Sequence, residues 1–191
     1  MADILIPGSL PRATVRTIEE LLWEFEEEFN FQQACMQIDS NPEIGKLIEK
    51  LRDNPRISSQ ERDFILRTAV LVFSAIQRQG QILNPDYCLP QVSQFTMRNT
   101  LKEANKIPDL YPQIALKDMS EESPDLFYYL KQQFAYGRAR YMNNFAERLS
   151  AVIYSALRDQ ERKRGLGELV RLHQQESPRY STYRLPQNRL S

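Results

Sequence analysis

Apolar residues in the first fifth of the chain recur at helical spacing. Five of them are separated by three or four positions: Val15, Ile18, Leu22, Phe25 and Phe29. This spacing places them on one face of an amphipathic helix. The pattern predicts a single first helix that ends near Asp39.

Start signals predict two further helices. Asn41-Pro42-Glu43 combines an N-cap residue, a proline at the first helical position and an acid in the first turn. Ser58 and Glu61 have the spacing of a capping box. The segment after them is apolar around much of its circumference, which favours a central position in the fold. We interpret Gly80 as the C-terminal cap of this third helix.

The second half of the chain alternates periodic segments with proline-containing ones. Apolar residues from Val92 to Ala104 predict a fourth helix that stops before Pro108. Residues 108–120 are predicted to be a connector because they contain two prolines and lack a clean period. Ser123-Pro124-Asp125 predicts the start of a helix of nearly forty residues, about 55–60 Å long at 1.5 Å per residue. Arg164-Gly165-Leu166-Gly167 is expected to interrupt it before a short last helix.

No segment alternates with period two for long enough to indicate a sheet. The predicted fold is therefore an all-α bundle of five or six helices with one long helix in the C-terminal half. We expect residues 1–176 to form one helical domain and residues 177–191 to form an irregular basic tail.

Composition favours a soluble, cytoplasmic protein with no membrane association. A chain of 191 residues is long enough to bury a core, and the longest apolar run, residues 69–73, is far shorter than the roughly 18 residues of a membrane span. Acidic Asp3 and early Pro7 do not fit a signal peptide. Cys35 and Cys88 are not spaced for zinc or redox chemistry and are expected to be free thiols.

Charge is distributed unevenly although the formal net charge is zero. Residues 19–28 contain six carboxylates and no base, whereas the chain from Lys131 onward has 12 bases and 5 acids, an excess of 12 − 5 = 7. This asymmetry indicates an acidic face for one partner and a basic face for another. Solvated helix faces are the alternative explanation.

Motifs for catalysis are not found in the sequence. The single histidine is His173. A helical di-iron motif would require glutamate three positions before it, and that position is Val170. No phosphate-binding loop, nucleophile elbow or zinc-protease motif occurs. We therefore expect a protein that is not an enzyme and that has no cofactor and no metal site.

Interleaved aromatic and basic residues point to binding. Arginine can contact phosphate through two parallel hydrogen bonds, and aromatic rings stack on bases. The residues expected to hold a nucleic-acid backbone are Lys131, Arg138, Arg140, Arg148, Arg158 and Arg162. The same residue types suit protein interfaces equally well. Gly137 is interpreted as a notch for close helix packing, with a kink as the alternative.

The stretch SPDLFYYLKQQFAYGRARYMNNFAERLSAVI, residues 123–153, resembles the central helix of the helical small subunits of CRISPR RNA-guided (Cascade-like) effector complexes. The resemblance rests on Leu130-Lys131, on Phe134 with Tyr136, and on Arg138 or Arg140, followed by Phe145 with Leu149.

Membership of that family would imply a non-enzymatic subunit of an antiviral ribonucleoprotein, present in more than one copy. Its partners would be the other subunits, further copies of itself, and the backbone of guide RNA or target DNA or RNA. The residues expected at subunit interfaces are Glu24, Glu27, Glu28, Tyr136 and Tyr141. Two other hypotheses stay open: a helical adaptor or assembly factor that binds a protein partner, and a regulator that responds to a small molecule.

Overall fold

A computed structural model describes residues 5–136 and 140–176, and it describes side chains for residues 5–134 and 145–173. All regular elements in these ranges are α-helices: α1 Val15–Glu26, α2 Glu28–Asp39, α3 Pro42–Arg52, α4 Ser59–Leu83, α5 Gln94–Lys106, α6 Tyr111–Glu122, α7 Pro124–Tyr136 and α8 Arg140–Glu176. The all-α class is confirmed. The predicted number of five or six is wrong, since the described ranges contain eight helices.

The core is built around α4 and α8. Residues 68–76 of α4 and residues 149–157 of α8 are each buried without interruption, so both helices are enclosed around their whole circumference there. α4 packs against α8 and also against α1, α2, α3 and α7. The predicted central position of the third predicted helix, which is α4, is confirmed, and its capping box between Ser58 and Glu61 is present.

The first predicted helix is divided at Glu27. Glu27 has an extended backbone with φ −81° and ψ 114°, which ends α1 and directs α2 along a new axis. In one straight helix Phe25 and Phe31 would be about 120° apart around the axis. Here both are buried, with their rings edge to face at 5.5 Å. Packing of both rings in one core therefore overrides the continuous helix that local spacing predicts.

Arg67 of α4 stabilises this division. Its guanidinium lies 4.3 Å from the centroid of the Phe31 ring. It also donates a hydrogen bond of 2.6 Å to the carbonyl of Phe25, which has lost its helical partner at the end of α1.

Residues 108–120 were expected to be a connector, and this prediction is wrong. Most of them belong to α6, which has Pro112 in its first turn, a position that proline tolerates well. Tyr111, Ala115 and Met119 follow at intervals of four and are buried. The two prolines, Pro108 and Pro112, obscured a short helix that begins between them, at Tyr111.

The prediction of a single long helix that begins after Ser123 is also wrong. Phe127 and Glu147 line one groove, whereas they would be about 30 Å apart in a continuous helix. The chain therefore turns back between α7 and α8. The hypothesis about Gly137 lies outside the described residues, as does the predicted tail of residues 177–191.

Three glycines were expected to end or interrupt helices, and none of them does. α4 continues past Gly80 to Leu83, and α8 continues through Gly165 and Gly167 to Glu176. A Cβ on Gly80 would be 2.0 Å from Cδ1 of Tyr87. Gly80 therefore makes room for the Tyr87 ring.

Candidate nucleic-acid interface

Three exposed cations lie on one face of α5, and two of them have no acidic partner among the described residues. Arg98, Lys102 and Lys106 follow one another at intervals of four, and Phe95 is one turn before Arg98. At 100° per residue these four positions fall within an arc of about 80° on the helix. All four residues are exposed. We call this surface, Phe95, Arg98, Lys102 and Lys106, the α5 cationic face.

Two of the four have partners among the described residues. Lys106 pairs with Glu103 at 2.7 Å, and the ammonium of Lys163 on α8 lies 5.1 Å from the centroid of the Phe95 ring. Arg98 and Lys102 have no ion pair in the described ranges. Their charges therefore face solvent.

An open groove of about 720 Å³ runs along this face. Its lining includes Arg98, Lys102 and Lys106 together with Glu43 and Met97. Glu43 forms an ion pair of 2.6 Å with Lys46 of its own helix. Its charge is thereby offset, so the cations of α5 dominate the groove.

Arg148 of α8 lies at the C-terminal end of α5. Its guanidinium donates a hydrogen bond of 2.7 Å to Oδ1 of Asn105 and one of 3.4 Å to the carbonyl of Ala104. The residue therefore caps a helix end, where a positive charge is favourable. Arg148 thus stands beside the groove, with part of its hydrogen-bonding capacity already used.

The structure places the predicted residues Arg158 and Arg162 against α6. The guanidinium of Arg158 pairs with Asp118 and lies 3.6 Å from Asp159, and only 12% of its side chain is exposed. Arg162 pairs with Glu122 at 2.9 Å, and Glu122 also accepts a hydrogen bond of 2.7 Å from the hydroxyl of buried Tyr154. Both arginines connect α8 to α6, a helix that sequence reasoning did not identify.

Lys131 lies on another surface. It is exposed on α7, where its ammonium is 5.7 Å from the centroid of the Phe127 ring. Arg138 lies outside the described residues. Arg140, Tyr136 and Tyr141 lie on helices whose side chains at these positions are outside the described ranges. Of the predicted cations with a described side chain, Arg148, Arg158 and Arg162 are on α8, and only Arg148 adjoins the α5 cationic face.

The acidic residues expected at a subunit interface are partly engaged within the chain. Glu24 accepts two hydrogen bonds from Arg78, at 3.0 and 2.8 Å. Glu28 lies 3.4 Å from Arg67, and Glu27 accepts a hydrogen bond of 2.9 Å from Asn30. Glu24 therefore joins α1 to α4, while Glu27 and Glu28 remain exposed at the division between α1 and α2.

Large apolar residues are exposed on two further surfaces. Every residue from 166 to 173 of α8 is exposed, including Leu166, Leu169, Val170 and Leu172. We call residues 166–173 the projecting end of α8. On α1 and α2, Trp23 is 72% exposed and Phe29 is 68% exposed. Exposed apolar side chains grouped in this way are typical of protein interaction surfaces.

Sequence reasoning missed Arg98 and Lys102. The signal was available, because cations at positions 98, 102 and 106 follow at intervals of four within the predicted fourth helix. The larger excess of basic residues in the C-terminal third made this shorter series less conspicuous. Lys163 was counted there, but its position beside Phe95 required the packing of α8 on α5.

Other kinds of site have little support in the described residues. No group of three or more His, Cys, Asp or Glu side chains in residues 5–134 and 145–173 is placed to hold a metal ion. Cys35 and Cys88 are free thiols, as expected. Across the described ranges, no helix has the length and apolarity needed to cross a bilayer.

Comparison with known proteins gives no relative for this chain: no family model, no curated protein and no solved structure matches it.

Proposed function

We propose that the protein is a non-enzymatic subunit of a ribonucleoprotein assembly and that it holds the backbone of single-stranded nucleic acid on the α5 cationic face. The observation that carries this proposal is the exposure of Arg98 and Lys102, without acidic partners in the described ranges, on the same helix face as exposed Phe95. Cations contact phosphates and an exposed aromatic ring stacks on bases. Neither contact depends on the base sequence of the nucleic acid.

The residue pattern of 123–153, which resembles the central helix of the small subunits of CRISPR effector complexes, is consistent with the same class of function, although this stretch is divided between α7 and α8 and does not form one helix. In this proposal the cations of α8 are mainly structural, whereas the sequence led us to expect them to contact phosphate. Arg158 and Arg162 position α6 and α8, and Arg148 caps α5 beside the groove. The primary contacts with phosphate are then made by α5, with Lys163 close to Phe95.

Binding of labelled single-stranded RNA and DNA across a salt series tests this proposal. Each phosphate contact contributes about 0.7 to the slope of log K against log salt for a single strand. We expect Arg98→Glu with Lys102→Glu to weaken binding and to reduce this slope. The matched control is Lys50→Glu with Arg56→Glu, which makes the same change in net charge at exposed positions on and after α3.

A control that weakens binding as much as the α5 double variant would show only a response to net charge and would contradict the α5 site. Equal binding by the wild type and the α5 variant would also contradict it.

The proposal includes association between copies. The projecting end of α8 presents apolar side chains together with one acid and one base, Glu168 and Arg171, whereas exposed Trp23 and Phe29 stand among exposed acids of α1 and α2. Both surfaces expose large apolar side chains. They lie on different parts of the chain, so contact between them would be head to tail.

Two variants that complement one another test this contact by sedimentation velocity. Leu169→Glu with Val170→Glu disables the projecting end, and Trp23→Ala with Phe29→Ala disables the α1–α2 surface. Each variant alone should be monomeric. Their mixture should form a one-to-one dimer, because one intact copy of each surface remains. A mixture that stays monomeric contradicts the head-to-tail contact.

The second candidate is a helical adaptor that binds another protein through the projecting end of α8. The exposure of four large apolar residues between 166 and 172 favours it. A wild type that binds no nucleic acid in the salt series and remains monomeric at high concentration would support the adaptor over the ribonucleoprotein subunit.

A further inference from the structure

A second groove, of about 340 Å³, lies between α6 and α7 and extends to α8. The residues on which its chemistry depends are Leu116, Lys117, Phe127, Lys131, Phe134 and Glu147. None of them belongs to the α5 cationic face. The groove therefore requires its own explanation.

Its floor is apolar and aromatic. Leu116 is buried, and Phe127 and Phe134 are partly buried against the core. The two phenylalanines are seven positions apart on α7, so they lie two turns apart on the same face of that helix. This floor suits a flat aromatic ring.

Its rims carry positive charge. Lys117 projects from α6 and Lys131 from α7; both are exposed, and neither has an ion pair in the described ranges. Two ammonium groups on facing helices can bind one phosphate from both sides.

A single carboxylate lines the same groove. Glu147 of α8 is half-buried, and it has no hydrogen-bond or ion-pair partner among the described side chains. Removal from water raises the pKa of its carboxyl group. A ligand that donates hydrogen bonds to both carboxylate oxygens would offset this loss of hydration.

An aromatic floor, two rim lysines and one carboxylate together match a nucleotide. The volume is at the lower end for ligand pockets, which suits one nucleotide better than a chain. We propose that this groove binds a guanine mononucleotide. Its base lies on Phe127, its phosphate lies between Lys117 and Lys131, and the N1–H and N2–H edge of the base contacts Glu147. Guanine presents N1–H and N2–H side by side, so two donors can meet the two carboxylate oxygens. Adenine presents one amino group.

Titration calorimetry of the full chain with GMP, AMP and inorganic phosphate tests the site. We expect saturable binding of GMP, with about ten-fold weaker binding of AMP. Lys117→Ala and Lys131→Ala should each weaken GMP binding about ten-fold, since each removes one charge-assisted contact. Glu147→Gln should weaken GMP binding and leave AMP binding unchanged. Lys50→Ala, at an exposed position on α3, is the control and should change nothing.

Three outcomes would overturn the proposal: no heat of binding with GMP, equal affinity for GMP and inorganic phosphate, or GMP binding that Lys117→Ala and Lys131→Ala leave intact. Both lysines are exposed, and thermal melting of each variant checks that the fold is preserved.

The variant Arg98→Glu with Lys102→Glu separates this site from the α5 cationic face. It should retain GMP binding, because neither residue lines the second groove. Loss of single-strand binding with GMP binding retained supports two independent sites, and loss of GMP binding in this variant contradicts the assignment of the groove.

Discussion

Gly165 of α8 lies directly against Gly8 of the N-terminal segment. A Cβ on Gly165 would be 2.4 Å from the Gly8 nitrogen and 2.5 Å from its Cα, both of them backbone atoms. Gly8 in turn has a φ of +85°, which glycine adopts without strain. The N-terminal turn therefore crosses α8 at Gly165, where the absence of a side chain leaves room for it.

Gly165→Ala should destabilise the protein by about 2 kcal/mol or more, because the backbone of Gly8 must move to admit a methyl group. Gly167→Ala is the matched control, since a Cβ there meets no atom within 4 Å. It should stabilise by about 0.5–1 kcal/mol through helix propensity. Urea denaturation measures both changes. A shift of the same sign in both variants would contradict the close approach.

Gly80→Ala should also destabilise, because its Cβ would overlap the Tyr87 ring. In a Tyr87→Ala background the ring is gone, and the same substitution should become neutral or stabilising by up to about 1 kcal/mol. A double-mutant cycle in urea measures this reversal. Destabilisation of equal size in both backgrounds would show that Tyr87 is not the cause.

Asp118→Asn should lower the free energy of unfolding by about 2 kcal/mol, because the guanidinium of Arg158, which is mostly buried, loses its main ion-pair partner. The control is Glu20→Gln, whose partner Arg16 is 88% exposed. That substitution should change stability by less than about 0.5 kcal/mol. Similar losses of stability in the two variants would show that the pair of Arg158 with Asp118 contributes no more than an exposed surface pair.

Glu147→Gln should change how stability depends on pH. Burial raises the pKa of Glu147 in the folded protein above the unfolded value of about 4.3. Between the two values the folded state binds more protons than the unfolded state, so this residue's contribution falls as pH rises. The glutamine variant should therefore gain stability relative to the wild type as pH rises from about 4 toward neutrality.

Urea denaturation of both proteins across that range provides the measurement. Two curves that run parallel would show that the folded environment does not penalise the charged form of Glu147. The exposed Glu49→Gln variant serves as the control, and its curve should follow that of the wild type.

Local signals in the sequence predicted helix starts well. Asn41, Ser58 and Ser123 each precede a helix as expected. Ser58 caps its helix by accepting a hydrogen bond from the amide of Glu61 within the next turn. The side chain of Asn41 makes no such bond to α3 and instead makes contacts that local reasoning could not reveal. Its amide donates to the carbonyl of Pro90 at 3.0 Å, and its oxygen accepts from the amide of Val92 at 3.2 Å.

Glycines and arginines were predicted poorly for a common reason. A glycine that ends a helix and a glycine that admits a neighbour look alike in sequence, and the neighbour of Gly165 is more than 150 positions away. Arg158 and Arg162 appeared to be available for phosphate because their partners, Asp118 and Glu122, lie on α6. Once that helix was interpreted as a connector, nothing local could indicate the pairing.

Helix α8 joins the interior of the protein to its surroundings without an interruption. Its residues 149–157 are enclosed beside α4, and its residues 166–173 stand in solvent on the same hydrogen-bonded rod. A partner that binds residues 166–173 therefore contacts the same helix that contributes residues 149–157 to the core. The outer and inner parts of α8 are therefore joined by helical backbone alone, through the turn that contains Gly165 and Gly167.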